Sequence, residues 1–377
     1  MSVVLTSPSV VAPNGVIDPA VVRALRGLAA EDITVGVISN GTRPPWFSSE
    51  FPDDSVVFVQ RQGRQDGRII AELSSDCGIP TYDFVVLGGT DDDVKMAKNG
   101  GGVLIMAAWC GSSRAAQYGI AVGSPKEFEE VVNLVSQWPG EWYFEGKEAL
   151  YSVRALANVS GKNVTAGQAE WAGKLVATVK DGGPRLQALL TVVSRSLLKS
   201  GIVAGADLIF GLYPSSNSAN ADGEVLSDLT HRLRTTTSRV HFAKKGDPLL
   251  LRHTPSTKRS RSGVSNRSNP SEQIESLVVN PSYRDKVSGR HVVLLDDCTT
   301  YGVSFGVAAS LLRAAGAIGV DCIALGKFGN QLRYYEIDLT SDPFSPIPSS
   351  GYTVRTLREF SGSSHQAAQT ALRGLIR

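Results

Sequence analysis

The chain has 377 residues, of which 42% are hydrophobic and 20% are charged, and its formal net charge is +2. This composition is that of a soluble globular protein and excludes a disordered tail, while the length predicts two domains rather than one. The near-neutral charge argues against nucleic-acid binding by the chain as a whole, so any anion binding must come from a local cluster.

The four cysteines lie far apart and form no Cys-x-x-Cys pair, which favours reduced, buried thiols over disulfides or a zinc site. The first residues lack the charged and long apolar regions of a signal peptide, and no apolar run approaches transmembrane length. We therefore expect a cytoplasmic protein with no membrane association.

Strand-like apolar runs alternate with helical patterns along the first third of the chain, which predicts an α/β fold with parallel strands and crossover helices. The predicted strands are Ile33–Ser39, Ser55–Val59, Asp83–Leu87 and Val103–Met106, and the predicted helices are Pro19–Leu28 and Pro125–Gln137. A domain boundary is predicted near Trp138, where a helix stops at Pro139 and Gly140.

The same alternation continues after the boundary. A long helical region is predicted first, followed by three strands and a helix: Gly167–Ser200, then Ala206–Leu212, Arg290–Leu295 and Val320–Leu325, with the helix at Phe305–Ala315. One segment differs in composition, because Arg252–Ser271 is rich in Ser, Arg, Lys, Asn and Pro and almost devoid of apolar residues. This composition predicts a long mobile loop, and such loops inside compact domains tend to be functional.

The segment from His291 to Phe305 carries the most information in the chain. An apolar strand ends in two adjacent carboxylates, Asp296 and Asp297, and a short loop of small and hydroxylated residues then opens a helix at about Ser304. Backbone N–H groups, hydroxyls and a helix N-terminus offer a site for one phosphate group. The carboxylates can hydrogen-bond ribose hydroxyls or hold a magnesium ion between sugar and pyrophosphate.

This segment resembles the phosphoribosyl pyrophosphate (PRPP) motif of type I phosphoribosyltransferases. The resemblance implies that Asp296 and Asp297 bind the ribose hydroxyls and Mg²⁺, and that the following loop binds the 5-phosphate. The residues of that loop are Thr299, Thr300, Tyr301, Gly302, Val303 and Ser304. Tyr301 stands where the family usually has a small residue, and Thr300 stands where several purine-salvage members carry an acidic general base.

Two further segments are similar to parts of this family. A strand that ends in Tyr213, Pro214, Ser215 and Ser216 resembles the pyrophosphate-binding turn. The segment from Leu249 resembles the mobile loop of the competence-type (ComF-like) subgroup, in which an arginine after an apolar strand precedes a basic stretch. The resemblance implies catalytic roles for Arg252, Lys258 and Arg259, which would neutralise the leaving group and exclude water.

The first domain resembles haloacid-dehalogenase-like phosphatases in two motifs, one ending in Ser39 and Asn40 and one containing Asp92 and Asp93. The chemistry of that family requires a nucleophilic aspartate after the first strand, and this chain has Thr6–Ser9 there. The resemblance therefore implies a degenerate domain without phosphoaspartate chemistry. A plain Rossmann-like scaffold with no ligand is an equal alternative.

Together these observations predict two Rossmann-like three-layer domains: a degenerate haloacid-dehalogenase-like domain at 1–140, and a phosphoribosyltransferase domain at 145–377 with a mobile basic loop at 252–271. The predicted function is Mg²⁺-dependent transfer of ribose 5-phosphate from PRPP to a nucleobase-like acceptor that the sequence does not identify. Type I transferases often dimerise, so a homodimer is compatible with the resemblance.

Two other functions remain open at this stage. A PRPP- or nucleotide-binding regulator would keep the fold and bind without releasing pyrophosphate, and the residues at Thr300 and Tyr301 keep this alternative open. A nucleic-acid-associated protein would use the basic loop and show steep salt dependence, although the near-neutral net charge makes nucleic acid an unlikely partner.

Overall fold

The computed structural model describes residues 2–113, 115, 117–161, 164–205, 207–217, 223–237, 246–257 and 267–376. The chain divides into two compact units. The first contains Met1–Gly140, Gln187–Ala204 and Arg232–Arg239, and the second contains Glu141–Leu186, Gly205–His231 and Val240–Arg377. The first break, after Gly140, falls beside the boundary predicted from the sequence, whereas two later segments also belong to the first unit.

The first unit is built on a six-stranded sheet in which every paired strand is parallel. Its strands are β1 (Val3–Thr6), β2 (Thr34–Ser39), β3 (Val56–Gln60), β4 (Phe84–Gly88), β5 (Val103–Ala107) and β6 (Ile120–Val122). They lie in the order β3-β2-β1-β4-β5-β6, which is that of a doubly wound Rossmann-like sheet. The order of the strands switches direction between β1 and β4. In such sheets, ligands bind outside the carboxyl ends of the strands at this switch point.

Helices α1 (Pro8–Val11), α2 (Pro19–Ala30), α3 (Phe47–Glu50), α4 (Arg68–Cys77), α5 (Asp91–Gly100) and α6 (Pro125–Gln137) complete this part of the chain. The bounds of α6 confirm the prediction, because its start and stop signals are local. Ser124 accepts a hydrogen bond from the backbone N–H of Glu127, and Pro125 occupies the first helical turn.

The long helical region predicted at Gly167–Ser200 is two helices, α7 (Ala166–Asp181) and α8 (Arg185–Lys199). The two helices separate where Gly182 and Gly183 adopt φ angles of 81° and 111°, outside the helical range, and Pro184 cannot continue a helix. From Gln187 onward, α8 belongs to the first unit. There its Ser196 hydroxyl accepts a hydrogen bond from the Trp138 indole over 2.9 Å.

The second unit contains a mixed six-stranded sheet and two antiparallel ribbons. Its strands are β7 (Phe144–Lys147), β8 (Ser152–Asn158), β9 (Leu208–Leu212), β10 (Leu250–Arg252), β11 (Leu277–Val279), β12 (His291–Thr299), β13 (Gly319–Lys327), β14 (Arg333–Leu339), β15 (Tyr352–Glu359) and β16 (Gly362–Ser364). The sheet order is β16-β7-β8-β13-β12-β9, and β8, β13, β12 and β9 are parallel. Strands β10 and β11 form one ribbon, and β14 and β15 form the other.

The remaining helices are α9 (Val225–Thr237), α10 (Ser271–Ser276), α11 (Arg284–Val287), α12 (Val303–Ala314) and α13 (Gln366–Leu375). Helix α12 is almost entirely buried and packs closely on β14, where a methyl group at Gly306 would lie 2.5 Å from the Tyr335 side chain. This packing fixes the helix that follows the acidic end of β12. Within the described residues, no helix is both long and apolar enough to span a membrane.

A bidentate ion pair ties the β14–β15 ribbon to the turn between β7 and β8. The Arg358 guanidinium donates to both Glu148 oxygens over 2.7 and 2.6 Å, and the Ser361 backbone N–H donates over 2.9 Å. These contacts, chiefly that with Arg358, lower the pKa of Glu148 from 4.5 to about 2. The charged form is therefore the one that stabilises the folded state.

We expect Glu148→Gln to destabilise the protein by about 1 kcal/mol at neutral pH, because it removes a charge-assisted pair. A lowered folded-state pKa adds stability above the unfolded value and loses it as the pH falls towards the folded value. The difference between wild type and variant should therefore shrink below about pH 4.5 and vanish near pH 2. Urea unfolding across this range measures it, and a difference that does not change with pH would contradict the assignment.

Candidate functional site

The candidate site is a cavity of about 680 Å³ in the second unit, at the carboxyl ends of the parallel strands β9 and β12. The backbone N–H of Tyr213 donates to the Leu295 carbonyl oxygen over 2.8 Å and so holds the two strand ends together. The cavity is lined by both predicted segments: the one that follows β9 and the one that contains Asp296. The structure thus brings together two motifs that are about 80 residues apart in the sequence.

Asp296 and Asp297, hereafter the acid pair, lie near the carboxyl end of strand β12 and line the cavity. Asp296 is 8% exposed, and its Oδ1 accepts a hydrogen bond from the Asp297 N–H over 2.8 Å. Burial, and next the neighbouring carboxylate of Asp297, raise the pKa of Asp296 well above its ordinary value, while the Ser304 hydroxyl acts in the opposite direction. A cation bound beside the pair would relieve this repulsion.

Among the described residues, no ion pair joins either member of the acid pair to a basic side chain. The charged side chains described around the cavity are four acids and three bases: Asp181, Glu224, Asp296 and Asp297, with Lys180, Arg252 and Arg267. The described side chains therefore give an anionic ligand no excess of positive charge in this cavity. This balance favours a ligand that arrives with its own metal cation.

The acid pair fits Mg²⁺ held jointly with a substrate. The part of the chain that the structure describes contains no cluster of three or more His, Cys, Asp or Glu side chains that could hold a metal. Mg²⁺ is commonly bound through one or two carboxylates, with waters and substrate phosphate oxygens as its other ligands. Two carboxylates and an open cavity match that donor set better than they match a resident structural metal.

Thr299–Ser304, hereafter the phosphate loop, joins β12 to α12 and also lines the cavity. Gly302 is the N-cap of α12 with φ 77°, and no side chain caps the helix. The first N–H groups of α12 therefore have no side-chain acceptor, and together with the helix dipole they favour an anion. Two backbone hydrogen bonds hold this loop in place. The Thr299 carbonyl oxygen accepts from the Phe328 N–H over 2.8 Å, and the Tyr301 carbonyl oxygen accepts from the Arg333 N–H over 3.1 Å.

Gly302 is required by both its conformation and its surroundings. A methyl group at this position would lie 2.9 Å from the Arg333 carbonyl oxygen and 3.0 Å from Leu332. We expect Gly302→Ala to cost about 1–2 kcal/mol of stability and to weaken ligand binding, because the loop must shift to relieve both strains. Gly329→Ala is the matched control, since Gly329 also has a positive φ of 62° but has open space around it. Equal losses of stability in urea unfolding would contradict a role for the close contact.

The turn Tyr213–Ser216 is another segment that lines the cavity. Its carbonyl oxygens, which would repel an anion, are occupied: Ser215 accepts from the Arg252 Nε over 2.6 Å, and Ser216 accepts from the Ser256 N–H over 2.9 Å. The Pro214 carbonyl oxygen lies 3.4 Å from Arg252 Nη2. The turn is therefore held from behind by neighbouring donors.

Arg252 lies at the end of β10, is 1% exposed and lines the cavity only from behind this turn. Besides the turn, it donates to Gln273 Oε1 over 2.9 Å and to the Ser276 hydroxyl over 2.6 Å. Gln273 Oε1 also accepts from the Tyr213 hydroxyl over 2.6 Å. A catalytic role for Arg252 stays a prediction, and the contacts found here are those of a residue that positions the Tyr213–Ser216 turn.

The other predicted catalytic residues, Lys258 and Arg259, lie outside the described residues. The structure adds cavity-lining residues that the sequence did not single out, at the end of α7 and the start of α9: Val179, Lys180, Asp181, Gly223, Glu224, Val225 and Leu226. No motif could have identified them, because their place in the site depends on how two distant helices meet the sheet edge.

In the first unit, the predicted pocket lies at the carboxyl edge of the sheet and is organised around Asp93. This carboxylate is fully buried and forms an ion pair with Arg64, which is itself 7% exposed. Its Oδ2 also accepts from the N–H groups of Gly89 and Thr90, both over 2.9 Å, and from the Ser7 hydroxyl over 3.1 Å. Protein donors therefore occupy both carboxylate oxygens of Asp93.

The other residues predicted for this pocket lie close to Asp93. Asn40 Nδ2 lies 3.5 Å from an Asp92 oxygen, and its Oδ1 accepts from the Arg64 N–H over 3.1 Å. Ser39 Oγ accepts from the Gly41 N–H over 3.0 Å. Ser7, whose hydroxyl donates to Asp93, directly follows β1. This edge thus offers hydroxyl, amide and carboxylate groups, and among the described residues it holds no group of three or more His, Cys, Asp or Glu side chains that could bind a metal.

Comparisons with known proteins give little to set beside this geometry. No protein-family profile matches the chain. No curated protein matches it either. Among solved structures, the cobalt-bound form of the deoxy-D-mannose-octulosonate 8-phosphate phosphatase from Haemophilus influenzae is similar over 37% of this chain and 91% of its own, with 14% identity and a TM-score of 0.31. That similarity is too low to carry an argument about this chain.

Proposed function

We propose that the second unit binds PRPP with Mg²⁺ and transfers its ribose 5-phosphate to a nucleobase-like acceptor. The observation that carries this proposal is the acid pair: two carboxylates without a basic partner among the described residues, next to an uncapped helix N-terminus in one cavity. A ligand that combines hydroxyls, a phosphate monoester and a metal-bound diphosphate satisfies all of these groups at once.

Each part of the cavity has a role in this proposal. The phosphate loop and the N-terminus of α12 bind the 5-phosphate, and the acid pair hydrogen-bonds the ribose hydroxyls. The Tyr213–Ser216 turn, whose carbonyl oxygens are held back by Arg252 and Ser256, faces the diphosphate. When bound, Mg²⁺ supplies charge neutralisation for the diphosphate, held by the acid pair.

The reaction breaks the bond between the ribose C1 and a diphosphate oxygen, with the bonding electron pair leaving on pyrophosphate, and forms a bond from C1 to an acceptor nitrogen. The proton of that nitrogen passes to the departing pyrophosphate or to water. The chain contributes mainly by positioning the groups and by charge. The negative acid pair stabilises the ribose ring as it gains positive character.

We further propose that the first unit is a degenerate haloacid-dehalogenase-like domain. Two features support this: Ser7 stands after β1 in place of a carboxylate, and Asp93 is occupied by Arg64. This edge of the sheet then has no route to a phosphoaspartate intermediate. Its role would be to bind a ligand or to support the transferase unit.

Calorimetric titration of the full chain with PRPP, in the presence and absence of Mg²⁺, tests the proposed function. We expect micromolar binding that depends on Mg²⁺, followed by pyrophosphate release when the right base is supplied from a panel of purines and pyrimidines. Saturable binding with no release from any base would instead identify a PRPP-sensing regulator. Absence of binding in both conditions would refute the assignment of the cavity.

A further inference from the structure

We propose that Lys180 is a ligand-binding residue of this cavity and contacts a phosphate group of the bound substrate directly. The proposal rests on the proposed function, because it takes the ligand to carry phosphate. Neither the acidic motif nor the basic loop contains this lysine, which lies more than 100 residues before the acid pair. It enters the site only through the fold.

The position of Lys180 is fixed by α7. The lysine lies in the last turn of this helix, which ends at Asp181, and its side chain lines the same cavity as Asp297 and the phosphate loop. The chain leaves the helix at Gly182, where a methyl group would lie 3.5 Å from Val225 of α9. The end of α7 therefore lies beside α9, and the lysine stands on a helix rather than on a loop.

Lys180 shares its cavity with the acid pair and with Cys298. A phosphate bound in this cavity would be attracted by the charge of the lysine and repelled by the ionised carboxylates.

The other basic side chains described around the cavity already have interaction partners within the protein. Arg252 is committed to the Tyr213–Ser216 turn and to Gln273 and Ser276. Arg267 also has an interaction partner. Lys180 is exposed and takes part in none of the ion pairs found between described residues, so its ammonium group is available to an incoming phosphate. A lysine at a helix C-terminus is also explained by the helix dipole, and the experiment must separate the two roles.

Lys174 provides the matched control for that purpose. It lies on the same helix and forms an exposed ion pair with Glu170, and it is not among the residues that line the cavity. Isothermal calorimetry should compare wild type with Lys180→Met, Lys180→Arg and Lys174→Met, using Mg²⁺-pyrophosphate and ribose 5-phosphate as separate probes. Methionine keeps the apolar stem of the lysine and removes only the charge.

We expect Lys180→Met to weaken at least one probe by about tenfold or more, since a charge-assisted hydrogen bond is lost. The affinity of Lys180→Arg should stay within about threefold of wild type, and the affinity of Lys174→Met should equal that of wild type. The probe that loses affinity identifies the phosphate that Lys180 contacts. Binding of the wild type should also weaken with added salt more steeply than binding of Lys180→Met.

Two outcomes would overturn the inference. In the first, both probes bind Lys180→Met as tightly as wild type, which would leave the lysine with only its helix-terminal role. In the second, neither probe binds wild type. If pyrophosphate or ribose 5-phosphate binds in a Lys180-dependent way while PRPP does not bind, the inference stands and the proposed transferase function fails.

Discussion

Replacing both members of the acid pair by asparagine is expected to weaken binding of Mg²⁺-PRPP by about 100-fold or more and to abolish pyrophosphate release. Each substitution removes a charged acceptor for the ribose hydroxyls and one of two carboxylates able to hold the metal, and contacts of this kind contribute about 1.5–3 kcal/mol each. Calorimetry on the Asp296→Asn/Asp297→Asn variant gives the affinity, and a coupled pyrophosphate assay gives the turnover.

The same variant should unfold at a temperature no lower than that of the wild type. Burial and mutual repulsion penalise the charged pair in the free protein, so neutral amides relieve strain even as they remove function. Asp207→Asn is the control, because this exposed carboxylate precedes β9 at the opposite edge of the sheet. Retained Mg²⁺-PRPP binding in the double variant would show that the ligand site lies elsewhere.

The largest loss of stability is expected from Asp93→Ala in the first unit, at about 3–5 kcal/mol. The substitution leaves the buried Arg64 guanidinium without its carboxylate and also removes the acceptor for the N–H groups of Gly89 and Thr90. Asp92→Ala is the control, because Asp92 is only partly buried and its contact with Asn40 is 3.5 Å long. It should cost less than about 1 kcal/mol.

Hydrogen–deuterium exchange resolved by peptide is the suitable measurement, because a chain of two units need not unfold in one step. Protection should fall in β4, β5 and α5 of Asp93→Ala and stay near wild type in β12 and β13. A rise in the protection of β4 and α5 on adding Mg²⁺ to the wild type would contradict the picture of a saturated carboxylate, since it would mean that Asp93 still binds a metal.

The sequence predicted those parts of the fold whose signals are local. Strand β12, its terminal acid pair and helix α12 follow from an apolar run, two carboxylates and a glycine-containing loop within 15 residues. The predicted helical region at Gly167–Ser200 is present as α7 and α8, with two glycines and a proline at 182–184 between them.

The roles of residues that act through long-range contacts could not be predicted from the sequence. Arg64 has no motif of its own, and its role appears only where the fold brings it to Asp93. Lys180 lies in an ordinary amphipathic helix and reaches the cavity because α7 ends there. Arg252 is buried in the ribbon of β10 and β11 and bonds to the Tyr213–Ser216 turn, a place that its neighbours in the sequence did not indicate, and its catalytic role stays a prediction.

The assignment of α8 to the first unit has a consequence for the order of events during synthesis. The Trp138 indole, the Asp83 carboxylate and the Ala121 carbonyl oxygen bond to α8 side chains at Ser196, Arg195 and Gln187. A nascent chain that extends only to Gly140 cannot form these contacts, because α8 has not yet been synthesised. At ~5–20 residues per second it must wait roughly 3–13 s for the ribosome to add the residues up to Ala204. During that interval the ribosome makes α7 and then α8, while the six-stranded sheet lacks its α8 contacts and is exposed to chaperones and proteases.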